Sequence, residues 1–448
     1  MVYASAMHGK NMMHYQNLFL QHDPAAIRYI DGARTLSFGD LKARIATLSQ
    51  HLRAMPEQRF VIATLNCFEV TACFFALLYA GKTPVILGHT REKLLAEQRE
   101  HYDAIVTDLP MTLDAPCVDL NQITTQDCSL DFSAPIDDQW VHFFTSGSSG
   151  IAKCIKKRVA LLAKESALLH QTWPIMKGTH VIATVSPLHQ YGLTFNILWP
   201  LINEGCVHMH AITYQEALTG LPHNGRYAFI TSPAFLKRLD PTLVSPLEMT
   251  HIFSAGGPLP KSAAQDCQAL LKCAPIEIYG SSETCVIAHR MPICDALFQP
   301  FDGIQIMQNA DQTLRLHSPL MDEPDFSLND RIAMHSNGFE LLGRTDRIVK
   351  IEEKRISLTE IETRIEAHLP NCQAHLLPLT HKQRTILGAV LVMVQPDDPQ
   401  RVIHDLTTHL KAYIEPIALP KRWRLIDKAP VNAQGKVSHY DLKELFDD

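Results

Sequence analysis

The sequence lacks the features that mark several protein classes. Its 11 cysteines form no CxxC pair and no regular spacing, so we expect reduced thiols and a cytoplasmic protein. The net charge of -6 offers no basic excess for nucleic acid. No apolar core of signal length occurs in residues 1–10. The most apolar window, residues 61–80, contains Asn66 and Glu69, which favours a buried strand and helix over a membrane span.

Metal-ligand clusters and internal repeats are also missing. His208 and His210 flank Met209, but no further ligand follows at metal spacing, so we expect no metal site there. The 448 residues are 46% apolar and 20% charged. That balance is typical of an ordinary globular protein, and the length suggests roughly two to four domains.

Short apolar strands alternate with helical stretches through most of the chain. Strands are predicted at residues 59–64, 83–87, 180–185 and 227–231, with a helix at 69–80. This alternation predicts an α/β fold with mostly parallel sheets. The texture changes near Gly343, after which we predict helices at 357–368 and 401–413 and a strand at 388–394. We therefore predict a domain at 1–343, a link at 344–347 and a smaller α+β domain at 348–448.

A loop rich in small residues follows the apolar segment at residues 140–144. Small residues let an anion approach the backbone closely, hydroxyls and free N–H groups can hold phosphate oxygens, and a lysine adds a charge. The loop is not a Walker loop, because Ile151 and Ala152 separate Gly150 from Lys153. Its serines also lack the glycine spacing of a nucleophile elbow. A plain Gly/Ser turn explains this segment equally well when it is taken alone.

Three further segments carry chemistry, although each also has an ordinary structural explanation. Residues 278–284 form an apolar strand end followed by Glu283, which could be a helix N-terminal acid. Residues 343–346 place Arg344 and Asp346 at the domain link, where they could be linker charges. Residues 434–436 end in Lys436, which could be a solvated lysine in a turn.

Taken together and in this order, the segments resemble the acyl- and aryl-adenylate-forming superfamily. That superfamily includes acyl-CoA synthetases, aryl-CoA ligases, luciferases and peptide-synthetase adenylation domains. The resemblance extends from residue 36 to residue 436. It implies a large N-terminal adenylate-forming domain with mostly parallel sheets and a small mobile α+β C-terminal domain. It also implies an ATP- and Mg²⁺-dependent ligase that makes acyl-AMP, releases pyrophosphate and transfers the acyl group to a thiol of CoA or of an acyl carrier protein.

The resemblance also implies a role for each matching residue. Tyr279 would stack on adenine and Asp330, assisted by Arg344, would hold the ribose. Lys436 and Glu283 would be catalytic, with Glu283 and Ser148 on Mg²⁺, and Asp346 would be the hinge. The full ATP-binding set is Thr145, Ser146, Gly147, Ser148, Ser149, Gly150, Lys153, Gly256, Tyr279, Gly280, Ser281, Ser282, Asp330 and Arg344. The acyl pocket would be formed by His189, Tyr191, Ser232 and Gly257.

Two departures from the family pattern bear on substrate and acceptor. Glu353 stands where the family has a glycine in the thiol channel, which favours carrier-protein pantetheine over free CoA, although a side chain turned to solvent fits equally well. Residues 186–192 lack the aspartate that amino-acid-activating members use for the α-amine. We therefore expect an aromatic or fatty acid as substrate.

Two other functions are compatible with part of the pattern. An amidase-type serine hydrolase also uses a Gly-Ser-Ser-Gly segment, but it leaves residues 279–284 and Lys436 unexplained. A non-catalytic acyl-binding relative would not need to retain Lys153, Glu283, Asp346 and Lys436.

Overall fold

The computed structural model describes residues 15–146, 152–243, 247–344, 348–352, 354–369, 372–381, 384–394, 398–430 and 439–446. Seven predicted site residues lie outside these ranges: Gly147, Ser148, Ser149, Gly150, Asp346, Glu353 and Lys436. For Thr145, Ser146 and Arg344 the structure describes the backbone alone.

The strands of the described residues, in chain order, are β1 (Ile27–Asp31), β2 (Arg34–Ser37), β3 (Arg59–Ala63), β4 (Thr83–Ile86), β5 (Ala104–Thr107), β6 (Cys117–Asp119), β7 (Trp140–Ser146), β8 (Ala152–Arg158), β9 (His180–Ala183), β10 (Cys206–His208), β11 (Arg226–Thr231), β12 (Glu248–Ala255), β13 (Pro275–Ser281), β14 (Cys285–Arg290), β15 (Gln299–Pro300), β16 (Gln305–Gln308), β17 (Thr313–His317), β18 (Asp325–His335), β19 (Gly338–Arg344), β20 (Ile348–Ile351), β21 (Lys354–Ser357), β22 (Gln373–His381), β23 (Arg384–Val392) and β24 (Arg422–Ile426).

The α-helices are α1 (Tyr15–Gln21), α2 (Phe38–Arg53), α3 (Cys67–Tyr79), α4 (Glu92–Glu97), α5 (Val159–Thr172), α6 (Gln190–Leu193), α7 (Trp199–Ile202), α8 (Glu216–Thr219), α9 (Pro233–Leu236), α10 (Lys261–Leu271), α11 (Leu358–His368), α12 (Pro399–Lys411) and α13 (His439–Glu444). A 3₁₀ turn covers Arg99–His101, and a π-helical segment, Thr194–Leu198, joins α6 to α7.

Two large sheets form the framework of the N-terminal part. The nine-stranded sheet has the order β15-β14-β13-β12-β11-β9-β10-β1-β2 and is parallel from β13 to β1. The six-stranded sheet has the order β6-β5-β3-β4-β7-β8, and its antiparallel pair is β7 with β8. The predicted α/β fold with mostly parallel sheets is confirmed. A third sheet, β16-β17-β18-β19, is antiparallel throughout and was not predicted.

Local signals explain the apolar window at residues 61–80. It comprises the end of β3 and the buried helix α3, as predicted. Asn66 is the N-cap of α3, and its side chain accepts hydrogen bonds from the backbone N–H groups of Phe68 and Glu69. Glu69 pairs with Arg44 of α2 at 3.1 Å, so the polar residues of this window serve the helix start and its packing. Within the described residues, no helix has the length and apolarity needed to cross a membrane.

A separate hydrophobic core supports the last quarter of the chain. It contains residues between Ile351 and Leu419, whereas the main core extends from Tyr15 to Phe339. Helices α11 and α12 pack here beside β22, β23 and β24. The predicted amphipathic helix at 357–368 is α11, which begins after Ser357, whose side chain accepts a hydrogen bond from the Glu360 N–H.

Candidate functional site

Predicted site residues gather at one edge of the nine-stranded sheet. Strands β9, β11, β12 and β13 are adjacent and parallel, so their carboxyl ends meet at that edge. Clefts at this edge are the usual ligand sites of open α/β sheets. The residues that follow these strand ends are His189 and Tyr191 after β9, Ser232 after β11, Gly256 and Gly257 after β12, and Ser282 and Glu283 after β13.

Glu283 is the point where three parts of the molecule meet. It lies in the turn between β13 and β14 of the nine-stranded sheet. Lys153, on β8 of the six-stranded sheet, places Nζ 3.8 Å from Glu283 Oε1. Arg355, on β21 of the C-terminal part, places Nη1 4.0 Å from Oε2. The carboxylate therefore lies between two cations that come from different sheets.

The environment of Glu283 suits a hard metal cation. Oε2 is buried and accepts no hydrogen bond from the described part of the chain. A carboxylate oxygen without a donor is a ligand of the type that Mg²⁺ prefers. Within the described ranges, no cluster of three or more His, Cys, Asp or Glu residues could hold a metal. A cation at Glu283 would therefore take further ligands from phosphate oxygens and water, as Mg²⁺ commonly does.

A cavity of about 230 Å³ opens beside Glu283. Its lining includes Lys153, Lys156 and Lys157 of β8 together with Glu283, Asp322 and Glu323. The lining therefore offers both cationic and anionic groups to a ligand. A larger cavity of about 480 Å³ is lined by α2 and residues 126–130 and contains none of the predicted site residues.

Asp330 and Arg344 are neighbours across two strands. They are register partners in the antiparallel pair β18–β19, and Asp330 is buried. Directly opposed residues in such a pair have Cβ atoms about 5 Å apart. Asp330 thus lies inside a long strand rather than in a turn, and the fold brings together the two residues assigned to the ribose.

Tyr279 and Gly280 end β13 beside this region. The Tyr279 ring is 8% exposed and contacts the rings of Phe298 and Phe339, with centroids 5.8 and 6.0 Å away. A Cβ on Gly280 would lie 2.4 Å from the Cys285 carbonyl oxygen. Packing of the β13–β14 hairpin therefore requires a glycine at this position, independently of any ligand.

Two of the predicted acyl-pocket residues, Tyr191 and Ser232, lie close together. The Tyr191 hydroxyl donates to the carbonyl of Thr231 at 3.2 Å, next to Ser232. His189 precedes α6, and burial of its imidazole lowers its pKa to about 4, with smaller contributions from the charges of Lys354 and His89. The π-helical segment after α6 is a feature frequently found at functional sites.

The C-terminal part contacts this site through charged side chains. Arg91 lies 3.5 Å from Glu415, Arg364 donates to Glu97 at 2.7 Å, and Arg238 lies 3.3 Å from Glu352. Lys354 of β21 also pairs with Glu415. Burial, and to a lesser degree the charge of Arg91, lower the pKa of Lys354 to about 8. The hairpin β20–β21 is thereby held beside the Glu283 carboxylate.

Sequence reasoning missed a buried polar network behind Glu283. Lys157 of β8 and Glu165 of α5 are only 2% and 1% exposed. Both contact the segment that follows Glu283. The available signal was the position of Glu165, which shares the apolar face of α5 with Leu162 and Leu169 and is therefore an acid in the core. Lys157 gave no such signal, because the run of residues 156–158 looks like an exposed charged strand.

Sequence comparisons match part of this chain to a known family and to distant relatives. Residues 89–307 match the family described as AMP-binding enzyme. The D-alanine–D-alanyl carrier protein ligase of Staphylococcus aureus is 21% identical over 75% of this chain and 77% of its own length. A tryptophan epimerase of the peptide-synthetase-like type from Fusarium equiseti is 22% identical over 91% of this chain. The chain spans only 34% of that fungal protein.

Solved structures share the fold over nearly the whole chain. The o-succinylbenzoate CoA synthetase of Bacillus subtilis, a double mutant bound to a product analogue, superposes with a TM-score of 0.83 at 17% identity, covering 96% of this chain and 98% of that one. A malonyl-CoA ligase with methylmalonyl-CoA and AMP bound gives a TM-score of 0.79 at 19% identity, covering 91% and 97%.

Proposed function

We propose that this chain is a member of the adenylate-forming superfamily and a ligase that activates a carboxylic acid with ATP, which the partial family match and the shared fold support. In the first step the acid attacks the α-phosphorus of ATP, giving acyl-AMP and pyrophosphate. In the second step a pantetheine thiol attacks the acyl carbon, giving a thioester and AMP. The observation that carries the proposal is the meeting of Lys153, Glu283 and Arg355 at the carboxyl edge of a parallel sheet.

The first step brings an anionic carboxylate toward an anionic triphosphate, so positive charge must be supplied. Glu283 would hold Mg²⁺ together with Ser148 of the phosphate loop. Bound Mg²⁺ would offset negative charge on the phosphates. Lys153 extends from the strand that follows the phosphate loop and faces the same cavity. Lys436, a compact cation, would contact both the acid and a nucleotide oxygen.

The remaining nucleotide contacts follow from the neighbouring elements. Thr145, Ser146 and residues 147–150 would close over the β- and γ-phosphates, since their backbone N–H groups and hydroxyls are suited to anions. Tyr279, with Gly256, Gly280, Ser281 and Ser282, would surround adenine. The cross-strand pair of Asp330 and Arg344 supports a shared role at the ribose.

The position of the hairpin β20–β21 supports a second step at the same site. Arg355 of this hairpin reaches Glu283, and Glu353 lies between its two strands in sequence. We assign residues 344–347, with Asp346, as the hinge between domains 1–343 and 348–448. Rotation about such a hinge can exchange Lys436 for the hairpin between the two half-reactions. The solved structures with CoA-type products bound share the fold over 96% and 91% of this chain, which is compatible with a thioester-forming second step.

We assign the substrate as an aromatic or fatty acid without an α-amine. The acyl-pocket candidates His189, Tyr191, Ser232 and Gly257 include no carboxylate to hold an ammonium group. The curated relatives are named for D-alanine and tryptophan, so both amino acids belong in any substrate test. For the acceptor we favour a carrier-protein pantetheine over free CoA, because Glu353 adds bulk and charge to the thiol channel.

A panel of carboxylic acids tests the proposal, with pyrophosphate release as the readout and CoA and a phosphopantetheinylated carrier protein as alternative acceptors. We expect release that requires ATP, Mg²⁺ and an aryl or fatty acid, followed by faster thioester formation on the carrier protein. Saturable turnover with D-alanine or tryptophan alone would contradict the substrate assignment. Ammonia release from amides without ATP would instead identify a hydrolase.

Lys436→Ala provides the matched test of the adenylation step. We expect loss of pyrophosphate release with ATP binding retained, because the lysine acts on the developing charge rather than on the bound nucleotide. Full pyrophosphate release by this variant would show that Lys436 is not the catalytic lysine.

A further inference from the structure

We propose that Lys157 and Glu165 are positioning residues that hold the turn bearing Glu283 and thereby set the affinity for the Mg²⁺–nucleotide complex. Neither residue faces the solvent, and neither belongs to the motifs that indicate the superfamily. The proposal rests on the proposed function, since it assumes that Glu283 is the carboxylate on Mg²⁺. It adds two residues, from the consecutive elements β8 and α5, to the machinery of that site, which lies more than 100 residues further along the chain.

Lys157 contacts the first half of the turn. Its ammonium group donates to the backbone carbonyl of Glu283 at 3.1 Å and to the Cys285 sulfur at 3.1 Å. Lys153 and Lys157 lie on the same face of β8, because alternate strand residues share a face. One lysine therefore faces the carboxylate of Glu283 and the other binds the carbonyl of the same residue. Lys157, at 2% exposure, has too little free surface to contact phosphate itself.

Glu165, on α5, contacts the start of β14, the strand that follows the turn. Its Oε1 accepts a hydrogen bond from the Val286 N–H at 2.9 Å. Its Oε2 accepts one from the Thr194 hydroxyl at 3.0 Å, in the π-helical segment after α6. Both carboxylate oxygens are thus engaged by fixed partners. The turn is held by β8 at one end and by α5 and the π-helical segment at the other.

Between these contacts the backbone adopts a conformation that needs support. Cys285 has φ +62°, in the left-handed region that residues with a side chain rarely occupy. Such a conformation costs about 1 kcal/mol or more, and it persists only where the surroundings over-determine it. Lys157 and the side-chain amide of Gln190, which donates at 3.3 Å, both bind the Cys285 sulfur. The hydroxyls of Ser281 and Thr284, 3.0 Å apart, close the turn from the other side.

Removing the contacts made by Lys157 and Glu165 should displace the Glu283 carboxylate from the cavity rather than unfold the sheet. A carboxylate that ligates a metal depends on the residues that orient it, and losing such a residue typically lowers metal affinity by roughly 10- to 100-fold. In the proposed site, affinity for the nucleotide alone depends on Tyr279, Asp330 and the phosphate loop, none of which is substituted in these variants. Lys157 and Glu165 are therefore expected to affect the Mg²⁺-dependent part of ATP binding.

Isothermal titration of ATP into Lys157→Met tests this, with excess Mg²⁺ in one series and EDTA in the other. Without an acid substrate the nucleotide remains intact, so the ratio of the two affinities reports the gain due to Mg²⁺. We expect that gain to fall by roughly 10-fold, with the affinity in EDTA within about 2-fold of wild type. Lys164→Met, which removes an exposed lysine beside Glu165 on α5, should keep the wild-type gain.

The double variant K157M/E165Q removes both buried charged groups together, and it should lose the gain to the same degree. A variant that unfolds at a lower temperature but keeps the full Mg²⁺ gain would overturn the inference, because Lys157 would then be a stability residue only. Glu283→Gln separates this failure from that of the proposed function. If Glu283→Gln loses the gain and Lys157→Met does not, only the positioning role fails. If Glu283→Gln keeps the gain, the metal role of Glu283 fails as well.

Discussion

Glu277 shows how one side chain links two segments of the candidate site. It lies on β13, and it is 3% exposed. Its Oε1 accepts a hydrogen bond from the Leu259 N–H at 3.1 Å, and its Oε2 accepts one from Arg290 at 2.7 Å. Burial raises the pKa of Glu277 and Arg290 opposes that rise. Strand β13, which carries Tyr279, is thereby fastened to the segment that follows Gly257.

We expect Glu277→Ala to lower the free energy of unfolding by about 3 kcal/mol, because Arg290 and the Leu259 N–H would lose a buried partner. Urea denaturation of the two proteins measures the difference. Glu248→Ala is the matched control, since its pair with Arg226 is exposed, at 66% and 46%. That control should cost less than about 1 kcal/mol. Equal losses in the two variants would mean that burial of the Glu277 pair does not set its contribution.

Residue identity also explains where sequence reasoning was sufficient and where it was not. Glu283 stands directly after a strand end in the sequence, so its role could be proposed from the motif. Lys157 could not be identified in this way, because its partners are the Glu283 carbonyl and the Cys285 sulfur, which are distant in the chain. Charge alone predicts a solvated side chain.

Among the elements, the pair β9–β10 carries a pH-sensitive contact. His180 Nδ1 and His208 Nε2 lie 3.1 Å apart on these adjacent strands. Burial lowers the pKa of His208 to about 4 and also lowers that of His180. The two imidazoles are therefore neutral at pH 7, and one can donate to the other.

A lowered folded-state pKa makes stability depend on pH in a definite direction. The unfolded chain takes up a proton near pH 6.5, whereas folded His208 does so only near pH 4. The contribution of neutral His208 to the free energy of unfolding is thus fully present above pH 6.5 and is lost as the pH falls toward 4. When the pH is lowered from 7.5 to 5, the free energy of unfolding of the wild type should fall by about 1–2 kcal/mol more than that of His208→Gln.

Urea midpoints at the two pH values measure this difference. His404→Gln, at an exposed position of α12, serves as the control and should show the wild-type pH dependence. If His208→Gln also shows the wild-type pH dependence, the folded pKa of His208 is not lowered as described.

Element by element, the periodicity of the sequence was a reliable guide to type. The predicted strands at 59–64, 83–87, 180–185 and 227–231 are β3, β4, β9 and β11, and the predicted helix at 401–413 is α12. The antiparallel sheet β16–β19 was missed because apolar and polar residues alternate only weakly in residues 305–344. Its strands are joined by hairpins, so no helix separates them in the sequence.

For the molecule as a whole, charged pairs between the N- and C-terminal parts hold the described arrangement. Glu415 serves both Arg91 and Lys354, and Glu97 serves Arg364. These side chains are partly exposed, so each pair contributes about 1 kcal/mol or less and is weakened by salt. Weak contacts of this kind suit an interface that opens between two steps.

We expect Glu415→Gln to speed hydrogen exchange of the β20–β21 amides by about two- to five-fold, since Lys354 and Arg91 lose a shared charged partner. Mass-spectrometric exchange at low salt measures the effect, which should shrink as salt is raised. Glu340→Gln, an exposed carboxylate of β19, is the control. Unchanged exchange in Glu415→Gln would show that the hairpin is held by other contacts.

Local pattern in the chain was enough to establish the class of fold, and it also predicted a change of texture near Gly343 and a set of candidate site residues. Those properties depend on short-range periodicity and on residue type, both of which are written along the chain. The convergence of Lys153, Glu283 and Arg355, the facing of Asp330 and Arg344, and the burial of Lys157 against Cys285 came from the folded molecule alone. They depend on which strands become neighbours and on how two sheets and a hairpin meet. Such long-range pairing is set by the packing of the whole core, so no local segment encodes it.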